Sequence, residues 1–293
     1  MMLLVKIIEA MRPAQWTKNF FLFAALVFAR KFFDWPSFLK VAEAFLLYCL
    51  LTGSLYLFND FMDLKEDRAH PIKSRRPLAS GAISPGLALI IFSVGSLVAL
   101  LWALALNWAF FLITAVYFLL QVAYSLKLKH IVILDIFVLA SGFVIRVAAG
   151  GLVINVPISS WLLICTSLLA LFIGMSKRRH ELVILEDKAA HHRPILKEYS
   201  PYLLDQMISV VTASTVIAYC LYTISPETVE KFGTRNLIYS SIFVLYGIFR
   251  YLYLVHQKGS GGNPEEMVIK DKPLLIDIIL WGFFIFLIIY FLR

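Results

Sequence analysis

Nine apolar runs, each close to the length that crosses a bilayer, constrain this chain more than any other feature. They cover roughly residues 18–34, 38–59, 86–106, 108–124, 131–155, 159–176, 202–224, 236–256 and 273–292. A hydrocarbon core about 30 Å thick needs about 20 residues of α-helix. Within it, backbone amides must be satisfied inside a helix or a closed barrel. No alternating strand pattern is present, so the runs predict an all-α polytopic membrane protein, a bundle of about nine transmembrane helices. The first and fourth runs are short or interrupted, which makes the expectation eight or nine. With 60% hydrophobic and 16% charged residues and a mean hydropathy of +0.81, an ordinary soluble core is excluded.

Punctuation along the chain is local, and a single integral-membrane domain over 1–293 is expected. Ser84-Pro85 and Ser200-Pro201 each place a capping hydroxyl before a proline at the first helical position. Asp34-Trp35-Pro36-Ser37 turns the chain between the first two spans, and the 259–264 stretch, from Gly259 to Pro264, reads as a flexible bend. Residues 3–11 read as a short amphipathic helix on the membrane surface rather than as a cleavable signal, because Lys6, Glu9 and Arg12 interrupt the apolar stretch. Cys49, Cys165 and Cys220 lie inside spans without ligand-like spacing and read as packing residues.

Charge sets the expected orientation. With nine spans, the segments 1–18, 60–84, 125–130, 177–201 and 257–272 fall on one side and hold 19 of the 27 Lys and Arg; the opposite segments hold five. The positive-inside rule places the first set in the cytoplasm of a plasma-membrane protein. The net charge of +8 then reflects topology and attraction to anionic membrane lipid. The basic residues flank spans rather than forming a soluble face, so nucleic acid is not an expected partner.

Against this apolar background, the stretch Asn59-Asp60-Phe61-Met62-Asp63-Leu64-Lys65-Glu66-Asp67-Arg68 stands out. Ionisable groups at the edge of a membrane helix are costly and mark function. On one helix Asp60, Asp63 and Asp67 would fall within about 60° of each other, with Asn59 beside them. Three like charges on one face call for a cation, and an oxygen-only donor set favours Mg2+, with Mn2+ the substitute. The loop that follows carries Arg68, Lys73, Arg75 and Arg76, so acids that could hold a metal are followed closely by cations that could hold phosphate. The competing reading is a positive-inside loop that salt-bridges to the acids.

Other polar groups cluster on the same predicted side. Tyr124, Lys127, Lys129 and His130 precede the fifth span, which Asp135 opens. Two such polar segments suggest two halves of a bundle facing one cytoplasmic-side cavity. Lys177, Arg178 and Arg179, followed by His180 and Glu181, could bind phosphate or lie among lipid headgroups. Arg146 sits deep in the fifth span on nearly the same face as Asp135, which predicts a salt bridge within the bundle or a substrate contact. His130, His191 and His192 read as surface loop residues. Gln15, Lys18 and Asn19, around Trp16, add more polar specificity than an interfacial anchor needs.

Taken together, these segments resemble the intramembrane prenyltransferase (UbiA-type) superfamily. Its N-x-x-x-D-x-x-x-D motif is matched by Asn59, Asp63 and Asp67, and its R-P-L-x-S-G-x-I-S tail by Arg76-Pro77-Leu78-Ala79-Ser80-Gly81-Ala82-Ile83-Ser84. Where that superfamily carries a second acidic pair, the stretch with Tyr124, Lys127 and Lys129 offers only Asp135. The chain looks most like the decaprenyl-phosphate phosphoribosyltransferase branch. That likeness rests on Arg12-Pro13, Gln15-Trp16 and Lys18-Asn19, on Asn59 through Pro71, on Tyr124-Ser125 and Leu128-Lys129, and on Lys177 through Leu182. It implies transfer of 5-phosphoribosyl from phosphoribosyl pyrophosphate to a polyprenyl phosphate, for cell-wall arabinan. Asp63, Asp67, Asn59 and Asp60 would serve catalysis, with Asp63, Asp67 and Asp60 also holding the metal. Gln15, Lys18, Asn19, Lys73, Arg76, Tyr124, Lys127, Lys129, Asp135, Arg146, Lys177, Arg178 and Arg179 would contact substrate. A UbiA-type aromatic prenyltransferase is the alternative enzyme. A transporter would place its charges near the bilayer midplane, where this chain has little beyond Arg146. A homo-oligomer is left open.

Overall fold

Helix starts in this chain are set by proline and short polar side chains. The computed structural model, which describes residues 2–71, 73–185, 194–258 and 264–291, shows how. Ser84 accepts from the Leu87 amide at 3.3 Å with Pro85 behind it, and Ser200 accepts from Leu203 at 3.1 Å ahead of Pro201. Both caps satisfy an amide that the first helical turn leaves open. Asn107 caps a third helix, accepting from Ala109 at 2.8 Å, and so separates two apolar runs one residue apart. His191, His192 and the 259–263 part of the expected bend lie outside the described residues.

By internal contacts the chain forms two compact units, Met1–Ile158 and Ser159–Arg293. The first contains α1 (Met2–Ala10), a 3₁₀ segment (Pro13–Phe21), α2 (Leu22–Phe28), α3 (Trp35–Met62), α4 (Leu64–Ala69), α5 (Pro85–Leu106), α6 (Trp108–Leu126) and α7 (Leu134–Val153). The second contains α8 (Ser160–Leu185), α9 (Pro201–Ile224), α10 (Pro226–Phe232), α11 (Ser241–Gln257), α12 (Pro264–Lys270) and α13 (Lys272–Tyr290). No strand occurs among the described residues. Among the described residues eight helical segments are long and apolar enough to cross a membrane, and the protein is a multi-pass integral membrane protein.

The first expected span is the one that differs. Residues 18–34 do not form a continuous helix: nine residues of 3₁₀ structure lead into a seven-residue α2, and Arg30 in the left-handed region (φ 59°) turns the chain. Pro13, Lys18 and Asn19 interrupt the apolar pattern there, and Asn19 is fully buried.

In the first unit α3 packs on α5, and α7 on α2 and α6. A Cβ on Gly95 would lie 2.2 Å from Ser54 Oγ, the small-residue contact that lets membrane helices approach closely. Leu22, Leu47, Tyr48, Leu51, Phe110 and Ala149 lie in the core between them. The opposite face of α5, with Ile90, Val94, Leu97 and Leu101, is exposed and apolar, as a lipid-facing surface must be.

In the second unit α8 packs on α9 and α11 on α13. Trp281 Nε1 donates to Tyr219 Oη at 3.0 Å, and Tyr219 shares a 2.7 Å hydrogen bond with Ser240. Arg250 forks onto Asp271 at 3.0 and 2.8 Å, which holds that carboxyl below its usual range. The two polar segments expected to represent two halves of the bundle, 59–84 and 124–135, both lie in the first unit. The pairing of those two segments therefore does not mark the boundary between units.

Candidate active site

α3 runs three residues beyond its apolar stretch. Asp63 (φ −93°, ψ 10°) closes it before α4 begins at Leu64. The single helical face expected for the three aspartates is therefore broken at Asp63, and the triplet divides.

Asp60 and Asp67 stay together. They are seven residues apart, nearly two whole turns, and α4 continues close enough for one cation to reach both. Arg76 Nη1 donates to Asp60 Oδ1 at 3.1 Å and to Asp67 Oδ2 at 2.6 Å. Arg12 also donates to Asp60 Oδ1, and its guanidinium lies 4.7 Å from the centre of the Tyr56 ring. Both carboxylates are only 2% exposed, a burial that would be prohibitive without those cations.

Asp63 has its own partners. Lys129 donates to Oδ1, Asn59 Nδ2 donates to Oδ2 at 3.1 Å, and Ser125 Oγ donates to Asn59 Oδ1 at 3.3 Å. Segments 1–18, 60–84 and 125–130 thus meet at one end of α3, in keeping with their expected common side.

Arg76 owes its position to the loop that follows it. Leu78 and Ile83 are each 1% exposed and pack with Ala10, Leu57 and Ala88. The Ser80 amide donates to Arg76 O at 2.9 Å and the Ile83 amide to Pro77 O at 3.0 Å. Gly81 (φ 82°) makes the return turn, in a region that other residues enter only with strain. Beside this loop lies a cavity of about 280 Å³ lined by Glu9, Ala10, Arg12, Asp60, Arg75, Arg76 and Pro77.

The remaining expected residues scatter. Gln15 and Lys18 are half-buried on the 3₁₀ segment. Lys73 is half-buried and donates its amide to His70 Nδ1 at 3.2 Å. Tyr124 is half-buried, Lys127 is exposed at the end of α6, and Asp135 is buried in the first turn of α7. Asn19 and Arg146 meet in the apolar interior. Of the two roles expected for Arg146, a salt bridge within the bundle or a substrate contact, the first gives way to bonds with neutral groups: Nε to Asn19 Oδ1 at 2.8 Å, Nη1 to Gly142 O at 2.8 Å and Nη2 to Tyr117 Oη at 2.7 Å.

In the second unit, Arg178 is 2% exposed and donates to Glu181 at 2.7 Å. Arg179 forks onto Asp205, and His256 lies 3.9 Å from that carboxylate. Lys177 is half-buried next to them. Sequence reasoning passed over Arg12, Ser125 and Asp205 as site residues. Arg12 entered only as a topology charge and as part of the Arg12-Pro13 likeness, although its place before Pro13 marks a fixed turn. Asp205 stands near the start of the 202–224 run, an ionisable group at a span edge that could have drawn attention.

Among the described residues no three acidic, histidine or cysteine side chains come together in a way that could hold a metal ion. Arg12, Arg76 and Lys129 sit on the carboxylates instead. The donor chemistry still suits a hard cation: Asn59, Asp63 and Asp67 offer only oxygen donors, and Asn59 and Asp63 are in contact. Mg2+ typically takes one or two protein carboxylates and completes its shell with phosphate and water.

The family model described as the UbiA prenyltransferase family matches residues 19–268. A decaprenyl-phosphate phosphoribosyltransferase of Mycolicibacterium smegmatis is 34% identical over 288 residues, covering 94% of this chain and 89% of that one. The protein of the same name from Corynebacterium glutamicum is 31% identical over 293 residues, covering 97% and 86%. The solved structure of a UbiA homolog from Archaeoglobus fulgidus bound to DMAPP and Mg2+ superposes with a TM-score of 0.74 over 98% of this chain and 99% of that one. At 19% identity that likeness speaks to the fold alone.

Proposed function

Because the chain belongs to the UbiA prenyltransferase family, and on the names of its full-length relatives, we propose that it transfers 5-phosphoribosyl from phosphoribosyl pyrophosphate to a polyprenyl phosphate. Pyrophosphate is released, and the product is a ribosyl-phosphate on a lipid phosphate, an activated pentose for cell-wall arabinan. The observation that carries this reading is the interleaving of Asp60, Asp63 and Asp67 with Arg12, Arg76 and Lys129 at one helix end. A donor with three phosphoryl groups needs such cations beside a metal-binding set.

In the reaction a lipid phosphate oxygen forms the new bond to the ribose anomeric carbon. The bond from that carbon to pyrophosphate breaks, and its electron pair leaves with the pyrophosphate. A phosphate ester is already anionic, so no general base is required. The barrier is separation of charge as the sugar gains oxocarbenium character. Asp63, Asp67 and Asn59, with Asp60 behind them, would hold Mg2+ or Mn2+, whose Lewis acidity stabilises the leaving charge when bound. Arg76 and Lys129 are placed to move from carboxylate to phosphate oxygen, keeping each charge matched. Lys18, Lys73 and Lys127 remain proposed substrate contacts on the sequence reading. Lys177, Arg178 and Arg179 remain proposed donor contacts on the sequence resemblance alone.

The reading places the site at the cytoplasmic face of the plasma membrane, where a soluble phosphoribosyl donor is available. It is tested with purified protein in two tubes. One receives phosphoribosyl pyrophosphate and polyprenyl phosphate, the other geranylgeranyl pyrophosphate and aromatic acceptors. Lipid-linked phosphoribose in the first is expected; product in the second alone would make the chain an aromatic prenyltransferase.

A further inference from the structure

We infer that Arg146, deep in the apolar interior of the first unit, is a positioning residue that acts on the site through Asn19 and Arg12. A guanidinium inside a membrane-spanning helix is expensive and calls for a reason. Its Gly142 bond is local to α7, whereas the bonds to Asn19 and Tyr117 reach other elements. The guanidinium also lies 4.9 Å from the centre of the Tyr117 ring. A charged donor makes the Asn19 bond stronger than a neutral pair would be.

Asn19 is held from both sides. Its carbonyl accepts from Arg146 on α7, and its amide points at Cys49 Sγ (3.4 Å) and Thr52 Oγ1 (3.5 Å) on α3. Three residues on, α7 touches the chain directly, since a Cβ on Gly150 would lie 2.0 Å from Leu22 O. The 13–28 segment is therefore fixed along its length between α3 and α7. Seven residues before Asn19, Arg12 leaves the 3₁₀ segment in the left-handed region (φ 54°) and places its guanidinium on Asp60. Between them Trp16 Nε1 closes onto Met11 O at 3.2 Å. A 3₁₀ segment rises about 2 Å per residue, so a slip of one residue at Asn19 would carry Arg12 out of hydrogen-bond range of Asp60. The buried pair sets the depth at which the segment sits, and that depth sets one of the two counter-ions of Asp60, Arg12, beside Arg76.

The positional claim stands without a substrate; its catalytic consequence rests on the reaction proposed above. Spin labels at Ala14 and Glu66, both exposed, report the distance between the 3₁₀ segment and the site in substrate-free protein. Cys165 and Cys220 are replaced by alanine for this purpose, and buried Cys49 is kept. Wild type and Asn19→Asp, which keeps an acceptor for Arg146, should give one narrow distance. Asn19→Leu and Arg146→Met should shift it by roughly 2 Å or more, or broaden it. An unchanged distribution in Asn19→Leu overturns the proposal. If Arg146→Met does not fold, the two Asn19 variants decide.

The activity arm asks whether Asn19 works through Arg12. Asn19→Leu should lower kcat/KM by roughly tenfold to a hundredfold, yet add nothing in an Arg12→Met background. Multiplying losses would mean that Asn19 acts by another route. Shifted distances with no phosphoribosyl transfer by wild type would sink the reaction and leave the positional claim intact.

Discussion

The ammonium of Lys129 donates to the carboxylate of Asp63 across 66 positions of sequence. This contact brings the connection between α6 and α7 onto the helix break at the end of α3. It also sets two requirements against each other. A metal would need the Asp63 oxygen that Lys129 occupies, and a phosphate would need the Lys129 charge that Asp63 neutralises. The acid and base partners of the site are thus held in mutual pairs that substrate and metal binding must exchange.

Asp63→Asn should reduce turnover on the order of 100-fold or more, since Lewis-acid stabilisation is worth several kcal/mol. Chelation by EDTA should abolish activity, and added Mg2+ should restore it. Steady-state assays on variant protein purified in normal amounts provide the check. Full activity in EDTA would remove the metal from the mechanism.

Arg76 makes a sharper case, because it bridges Asp60 and Asp67. Arg76→Met should tighten Mg2+ binding in the absence of donor by roughly fivefold, since it removes a competitor for those oxygens. Donor binding should weaken by about tenfold or more as a phosphate contact is lost. Isothermal titration of each ligand separates the two effects. Arg75→Met, which removes a neighbouring charge on the cavity wall, serves as the control. An equal shift there would reduce the effect to net charge.

Sidedness can be read at the two ends of α3, whose 28 residues span roughly 42 Å as a helix. A cysteine at Glu66 should resist a membrane-impermeant thiol reagent in intact cells and react after permeabilisation. A cysteine at Lys31 should react without permeabilisation. The reverse pattern would invert the topology and take the cytoplasmic donor with it.

Gly150→Ala tests the close approach of α7 to Leu22. Its Cβ would lie 2.0 Å from a backbone oxygen, and overpacking of this kind costs about 1–3 kcal/mol. Thermal unfolding should show a clear fall in Tm. Gly86→Ala, where nothing lies within 4 Å, should leave Tm unchanged or raise it slightly. Equal Tm values for the two variants would mean that α2 and α7 do not meet there.

The amino-acid sequence by itself determined what depends on neighbours along the chain. Among the described residues, eight of the nine expected runs form helical segments long and apolar enough to cross a membrane, and Ser84-Pro85 and Ser200-Pro201 start helices as their chemistry requires. The Asn59–Asp67 stretch and the basic segments around it were legible because charge is costly beside a membrane. Tertiary structure decided which charge meets which. Helical spacing put Asp60, Asp63 and Asp67 on one face but did not reveal the break at Asp63, which divides them between Arg76 and Lys129. It gave Arg146 a salt bridge within the bundle or a substrate contact without naming a partner, whereas the fold gives Arg146 to Asn19 and Tyr117. The 18–34 run read as a helix, yet its polar Asn19 is drawn into the interior by a guanidinium 127 positions away. Periodicity specifies the direction a side chain takes from its own helix. The group it meets depends on the approach of another segment, set by packing between helices far apart in sequence.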